Sequence, residues 1–411
     1  MHLNDWESAA LRGEHGEPIR WAIDFQLSVG RFFGARRMVP VRSAHVMCDA
    51  EALGEAGVGL LESIVASGGR VSIPTTTDPR SVDLALWREI GQERWLVDLE
   101  RRVMQSLAQM GALLCNTCIN YQTVDAPRFG ESLAWGDTGA AIYANSVVGA
   151  RTNFEGGPAG LAAALAGRVA EYGFHLDNVR HGSVLIRIKA PLHDVSAWGA
   201  VGSLVGRRFP GYWTVPVFEG PSLQPSPDDL KHLGAALASY GSHAMFHLVG
   251  VTPEARTVEE AFGGQRPTEA LEITAADLRS VYAEFIPEKR HPDLVVLGTP
   301  QLSIMELHSI AACLDGQVTS VPTFLTTSSA VALLAADSGD LTRIEASGAK
   351  VLRGVCFYTM AARHLARRRG FHTLVTNSAK LANIIAGYGY NPVLRSTGEC
   401  LGAAIAGEIS P

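Results

Sequence analysis

Two short polar runs carry the residue types from which an acid–base centre is built. In TNSAK, residues 376–380, Thr376, Asn377 and Ser378 stand at the expected start of a helix, with Lys380 in its first turn. Free N–H groups at a helix start attract anions, and a lysine ammonium adds a full positive charge. In WGDTGAAIYANSVVGARTNFEGG, residues 135–157, the residues Asp137, Asn145, Ser146, Arg151 and Thr152 crowd between small side chains. Small residues let backbone approach a ligand, amides and hydroxyls give neutral hydrogen bonds, and Arg151 offers a fork suited to carboxylate or phosphate. Both runs also read as ordinary capped, glycine-rich helices, so polar density alone assigns no site.

Cysteine and histidine leave alternatives open. Cys115 and Cys118 form one C-x-x-C within LLCNTCINY, and the remaining cysteines, 48, 313, 356 and 400, are scattered. With no second such pair a zinc ribbon is disfavoured, and the strand and helix that flank the motif of a thiol oxidoreductase are missing. His175, in YGFHLDNVR, and His247, in FHLVGVTPE, read as buried histidines, and most such histidines are satisfied core residues.

These residues need a frame, and the hydrophobic pattern supplies one. Amphipathic helices are expected over 16–35 and 91–111, and strands at 43–47, 71–74, 184–188, 243–251, 294–298, 318–327, 350–355 and 373–377. Strands alternating with helices of ten to fifteen residues imply parallel or mixed sheets covered by helices, an α/β fold. Ligands of such sheets bind beyond the carboxyl ends of the strands. TTTDP, VTPE, GTPQ and TNSAK all fall at expected strand ends, which points to one shared cleft. Pro-rich PSLQPSPDD, residues 221–229, is the expected connection between an N-terminal region, 1–220, and a C-terminal region, 228–411.

Composition bounds the function. A chain of 411 residues, 47% apolar and 18% charged, is long enough for two or three domains. Its net charge of −6 is mixed along the sequence and favours neither nucleic acid nor an anionic membrane. The opening MHLNDWESAALRGEHGEP has no basic stretch followed by an apolar run, and a cytoplasmic location is expected.

In order and wording the chain resembles the catalytic subunit of the aconitase X family of dehydratases. The resemblance runs through VSIPTTTDPRSVD at 71–83, NTCINY at 116–121, AWGDTGAAIYANSVVGARTN at 134–153, LVVLGTPQLSIMEL at 294–307 and TLVTNSAKLA at 373–382. It implies an aconitase-like fold of several α/β/α domains around a central cleft. It also implies removal of water from a small carboxylated substrate such as cis-3-hydroxyproline or a phosphorylated mevalonate. A separate small swivelling subunit would close over the cleft and contribute a catalytic serine. Arg151 and Lys380 match positions that would hold the carboxylate. Thr75, Thr76, Asn145, Ser146, Thr152 and Ser378 would line the pocket, with Asp137, Cys118, His45 and His175 as candidate acid–base residues.

The resemblance further implies an iron–sulfur cluster or mononuclear iron held by three cysteines. Cys118 and Cys356 match two of them, but the third position reads Gly298-Thr299-Pro300-Gln301. A threonine hydroxyl is a poor substitute for thiolate on iron, so loss of the cluster is expected. Asn120 stands where a turn proline belongs, and Phe154 where a second basic residue follows Arg151 in the family. Three functions fit this pattern: a hydro-lyase with altered or lost metal dependence, a metal-independent isomerase or cyclase, and a non-catalytic scaffold for the small subunit. Retention of Arg151, Asn145, Ser146 and TNSAK favours an enzyme.

Overall fold

The computed structural model describes residues 1–220 and 224–410. Residues 221–223 of the expected connection lie outside the described residues, and Gln224 and Pro225 lead into Ser226, the N-cap of helix Pro227–Gly241.

Three parallel sheets organise the chain. The first orders Thr75–Thr77, Ala44–Val46 and Ala134–Trp135. Helices Glu17–Phe32, Ala50–Ala66, Arg94–Met110 and Gly157–Ala166 cover it and share one apolar core. In Arg94–Met110 the spacing of Leu96, Leu99, Val103, Leu107 and Met110 places all five on the buried face. The second sheet orders His247–Leu248, Pro216–Glu219, Val184–Ile188 and Glu269–Ile273. The third orders Lys350–Arg353, Thr323–Thr327, Leu294–Leu302, Thr373–Thr376 and Asn391–Leu394. A short antiparallel pair, Met38–Pro40 with Arg168–Ala170, completes the first region. A second core runs unbroken between the two larger sheets through Trp198, Leu233, Leu237, Leu297 and Val375.

The expected alternation is present, but several boundaries differ for identifiable reasons. The strand expected before Pro74 begins after it: β-branched Thr75–Thr77 is the extended segment, and Pro74, which has no N–H to give, only accepts from Ala44 N at 3.0 Å. GTPQ does not follow its strand but lies inside it. Gly298 makes this possible: at φ +115°, a Cβ there would sit 2.4 Å from Thr326 O. Of HAMFHLVGV only His247–Leu248 pairs, because Ala244 and Met245 fill a satellite core with Phe174. Strands Pro216–Glu219, Glu269–Ile273 and Asn391–Leu394 were not marked by the hydrophobic pattern, and Glu269–Ile273 is largely exposed.

Two joints hold the sheets in register. Arg80, just past the first sheet, pairs with Val355 in a parallel bridge and donates to Arg353 O at 2.8 Å. Helices Val195–Arg208 and Pro227–Gly241 approach so closely that a Cβ at Gly202 would lie 2.7 Å from Leu233 O and 2.8 Å from Ala236 Cβ. No described helix is long and apolar enough to cross a membrane. Gly202→Val should therefore cost about 2–3 kcal/mol through overpacking, read as a lowered urea midpoint; an unchanged midpoint would contradict so tight a crossing.

Candidate active site

The carboxyl ends of the first and third sheets converge on one buried group of charges. Strand Thr75–Thr77 delivers Asp78, whose N–H is fixed by Val46 O at 3.0 Å. Strand Ala134–Trp135 delivers Asp137, which caps helix Thr138–Tyr143 by accepting from Ala140 N at 2.8 Å. From the third sheet comes Lys380, in the first turn of helix Ala379–Ile385, itself capped by Ser378. Lys380 Nζ lies 3.7 Å from Asp137 Oδ1 and 5.8 Å from the centre of the Tyr358 ring. Gly139 leaves room for this pair, since a Cβ there would be 2.9 Å from Asp137 Oδ2.

His45, wholly buried, organises the other side. Its Nδ1 meets Thr76 Oγ1 at 2.8 Å and its Nε2 meets Asp78 Oδ1 at 3.3 Å. Thr76 Oγ1 also reaches Ala44 O at 3.3 Å and there acts as donor. Its lone pairs therefore take the His45 Nδ1 proton, leaving Nε2 free to accept one from Asp78.

Burial and charge decide the protonation states. Burial, then the nearby Asp137 carboxylate, pushes Asp78 up to about 7 despite His45 and Lys380. Burial alone would lower the Lys380 ammonium, but Asp137, Cys356, Cys118 and Asp78 hold it above its ordinary value. Burial drives the Cys118 thiol well above its usual range and Cys356 up to about 12. Neutral Asp78 beside the Lys380–Asp137 pair makes a centre without excess charge, and ionising Asp78 adds an uncompensated negative charge. The centre can thus give one proton near neutral pH and attract an anion to Lys380.

The cysteines settle into separate roles. Cys115 Sγ contacts Thr77 O at 3.3 Å, whereas Cys118 Sγ accepts from Gln301 N at 3.4 Å. Cys356 Sγ lies 3.6 Å from Thr299 Oγ1. Thus Cys118, Cys356 and Thr299 gather beside the charged group, and Cys115 turns away from them.

A second group of expected site residues works as framework. Asn145 Nδ2 donates to Thr152 O and Ala244 O, both at 2.9 Å, and its Oδ1 accepts from Thr152 N at 3.0 Å. Ser146 Oγ accepts from Phe246 N at 2.9 Å, and Thr152 Oγ1 accepts from Trp135 N at 3.0 Å. Thr75 Oγ1 donates to Ile73 O at 2.9 Å. Arg151 donates to His175 O at 2.9 Å and pairs with the exposed Asp177. His175 is buried with both ring nitrogens unpartnered, and burial, then Arg180 and Arg151, lowers it to about 4. It is therefore neutral at physiological pH. The structure brings His45, Asp137, Cys118, Cys356, Ser378 and Lys380 together, and sets Arg151 and His175 apart with Asn145, Ser146 and Thr152.

Two residues of the centre are not marked by the sequence pattern. Asp78 stands in TTTDP, where its neighbours drew attention as hydroxyl donors; its position at the end of a parallel strand was the available signal. Tyr358, in RGVCFY, had no signal beyond adjacency to Cys356.

Sequence models of the three aconitase X domains match the chain in succession: the first domain over residues 1–178, the second over 182–283 and the third over 292–406. The chain belongs to the aconitase X family. It is 34% identical to the phosphomevalonate dehydratase large subunit of Methanothermobacter thermautotrophicus, over 94% of each chain. It is likewise 34% identical to the cis-3-hydroxy-L-proline dehydratase of Pseudomonas aeruginosa, over 99% of this chain and 70% of that enzyme. The crystal structure of Thermococcus kodakaraensis aconitase X in its holo-form superposes with a TM-score of 0.89 at 30% identity, covering 98% of this chain and 100% of that one. Both named enzymes are dehydratases, and the aconitase-like fold expected for this aconitase X chain is the one it has.

The raised value of Asp78 has a consequence for stability. The folded chain keeps this proton where the unfolded chain, with a value of 3.8, has lost it. Stability from this group is full below about pH 4 and falls toward about pH 7, at up to ~1.4 kcal/mol per pH unit. Asp78→Asn cannot lose the proton. Its melting temperature relative to the parent chain should therefore rise between about pH 4 and pH 7 and then level off; a constant difference would show that Asp78 titrates normally.

Proposed function

We propose that this chain is the large, catalytic subunit of an aconitase X-type hydro-lyase that removes water from a small hydroxylated carboxylate. The observation that carries the reading is the buried grouping of Lys380, Asp137, Asp78 and His45 where the carboxyl ends of two parallel sheets meet. Eliminating water needs a cation to hold the carboxylate, an acid for the departing hydroxyl and a base for the neighbouring carbon. Lys380 meets the first need, with Asp137 fixing its direction. Asp78 meets the second: still about half protonated near pH 7, it gives its proton to the leaving oxygen while His45 and Thr76 hold the carboxyl in place. Arg151 and His175, with Asn145, Ser146 and Thr152, support the ledge that carries Asp137.

The base is expected from a second chain. Relatives over the same length bear the name large subunit, which supports a separate small partner. The cis-3-hydroxy-L-proline dehydratase, of which this chain spans 70%, is consistent with the same parts joined in one polypeptide. A mobile small subunit closing over the cleft would exclude water after substrate has entered.

The family resemblance implies iron, and the donors present do not fit a three-thiolate site. Two thiols and the Thr299 hydroxyl gather where three thiolates are needed, and a hydroxyl is a poor substitute for the third.

The test is turnover with the small subunit supplied, using cis-3-hydroxy-L-proline and phosphomevalonate, the substrates of the named relatives, with other 3-hydroxy acids beside them. Loss of one water by mass is expected from a member of this set, and no water loss from any would count against the reading. Lys380→Met should lower kcat/KM by about 10²–10³-fold. Arg151→Ala should act mainly on melting temperature; a larger kinetic loss at Arg151 than at Lys380 would move the carboxylate grip to the arginine.

A further inference from the structure

We propose that Thr299 and Gln301 close the metal position into a hydrogen-bonded plug, so that this chain works its centre without an iron–sulfur cluster. The proposal deepens the hydro-lyase reading and rests on it only for where the reaction takes place.

Gln301 is fully buried and ties the two cysteine-bearing segments together. Its side-chain Nε2 donates to Asn116 O at 3.3 Å and to Val355 O at 3.0 Å, carbonyls that lie two residues before Cys118 and one before Cys356. Its backbone N–H points at Cys118 Sγ from 3.4 Å, and the hydroxyl of Thr299 lies 3.6 Å from Cys356 Sγ. Each sulfur thus faces a polar group from one turn of the strand Leu294–Leu302. Oε1 of Gln301 finds no protein partner, so the plug is held by its donor groups.

The plug is also braced from behind. Lys231, wholly buried on helix Pro227–Gly241, donates to Gln301 O at 3.1 Å. The same ammonium pairs with Asp228 at 2.9 Å and with Glu306, the residue that completes the N-terminal cap of helix Ile304–Leu314. On the far side, Ser378 donates to Thr299 O. A buried lysine with two carboxylate partners is costly to move, so Gln301 is fixed from two helices at once. Seating a cluster would require releasing the Gln301 amide from both carbonyls. It would also require replacing a hard hydroxyl by a third thiolate. The same bonds let the segments of Cys118 and Cys356 keep their places beside Lys380 and Asp78 with no metal between them.

The test measures metal uptake, without substrate, so its failure is separate from failure of the hydro-lyase reading. The full chain, purified without oxygen, is incubated with ferrous iron, sulfide and a thiol reductant, desalted, and assayed for iron, sulfide and visible absorbance. The parent chain should retain well below one iron per chain, whereas Thr299→Cys with Gln301→Ala should take up several iron and sulfide with broad visible absorbance. Adding Cys356→Ser to that variant should abolish the uptake. Stoichiometric iron and sulfide on the parent chain would overturn the proposal, as would a folded double variant that takes up none.

Thiol access gives a second reading if the double variant does not fold. Gln301→Asn shortens the amide by one methylene and should expose Cys118 and Cys356 to iodoacetamide, raising alkylation at those two sites at least tenfold as mapped by peptide mass. Unchanged alkylation in that variant would show that Gln301 does not hold the segments closed.

Discussion

One ammonium group governs the centre of this protein. Lys380 is buried among two carboxylates and two sulfur atoms, and among the described residues no other lysine or arginine bears on Asp78, Cys118 or Cys356. A single cation balances a single anion. Asp137, which also accepts a backbone hydrogen bond as a helix cap, is the anion it pairs with, and Asp78 and the thiols are pressed toward their neutral forms. The protonation pattern follows from geometry: a closed junction, one lysine, and more acidic groups than the lysine can compensate.

The architecture exists to hold that imbalance. Parallel strands end together, so sheets that face each other bring their carboxyl ends, and the helix starts beyond them, to one place. Here Asp78 and Asp137 leave one sheet while Lys380 and Cys356 leave another, and Arg80 pins the two sheets across the gap. Gly298 and Gly139 give the space, the first for a strand that continues through Thr299 and the second for the lysine. Away from the centre, Asn145, Ser146, Thr152 and Arg180 stitch the segments behind the first sheet to the second sheet. Polar density in the sequence there reflects a buried hydrogen-bonded frame.

Much of this was legible in the residues. The alternation of helices and strands and the capped helix behind TNSAK stand in the structure, whereas of the motifs expected around one cleft GTPQ lies inside its strand and Glu254 of VTPE pairs with Arg180. What escaped was direction. Arg151 is the more conspicuous anion grip by type, yet its fork is directed to His175 O and Asp177, and the buried lysine holds the centre. Asp78 was passed over because its chemistry comes from burial and from Asp137, a residue 59 positions away that no local pattern connects to it. Likewise Thr299-Pro300-Gln301 reads in sequence as the place of a lost ligand, while in the fold the Gln301 amide joins segments near residues 116 and 355. Long-range pairing of that kind is written in the packing of sheets, not in spacing along the chain.

The state of Asp78 is the quantity on which the account turns. Carbon NMR of the full chain labelled at aspartate carboxyl carbons, with Asp78→Asn identifying the resonance, follows its titration directly. A midpoint close to 7 that moves down when Asp137 is replaced by Asn is the expected result. A midpoint in the ordinary carboxylate range near 4, unmoved by that replacement, would contradict a centre built on one lysine and a surplus of buried acids.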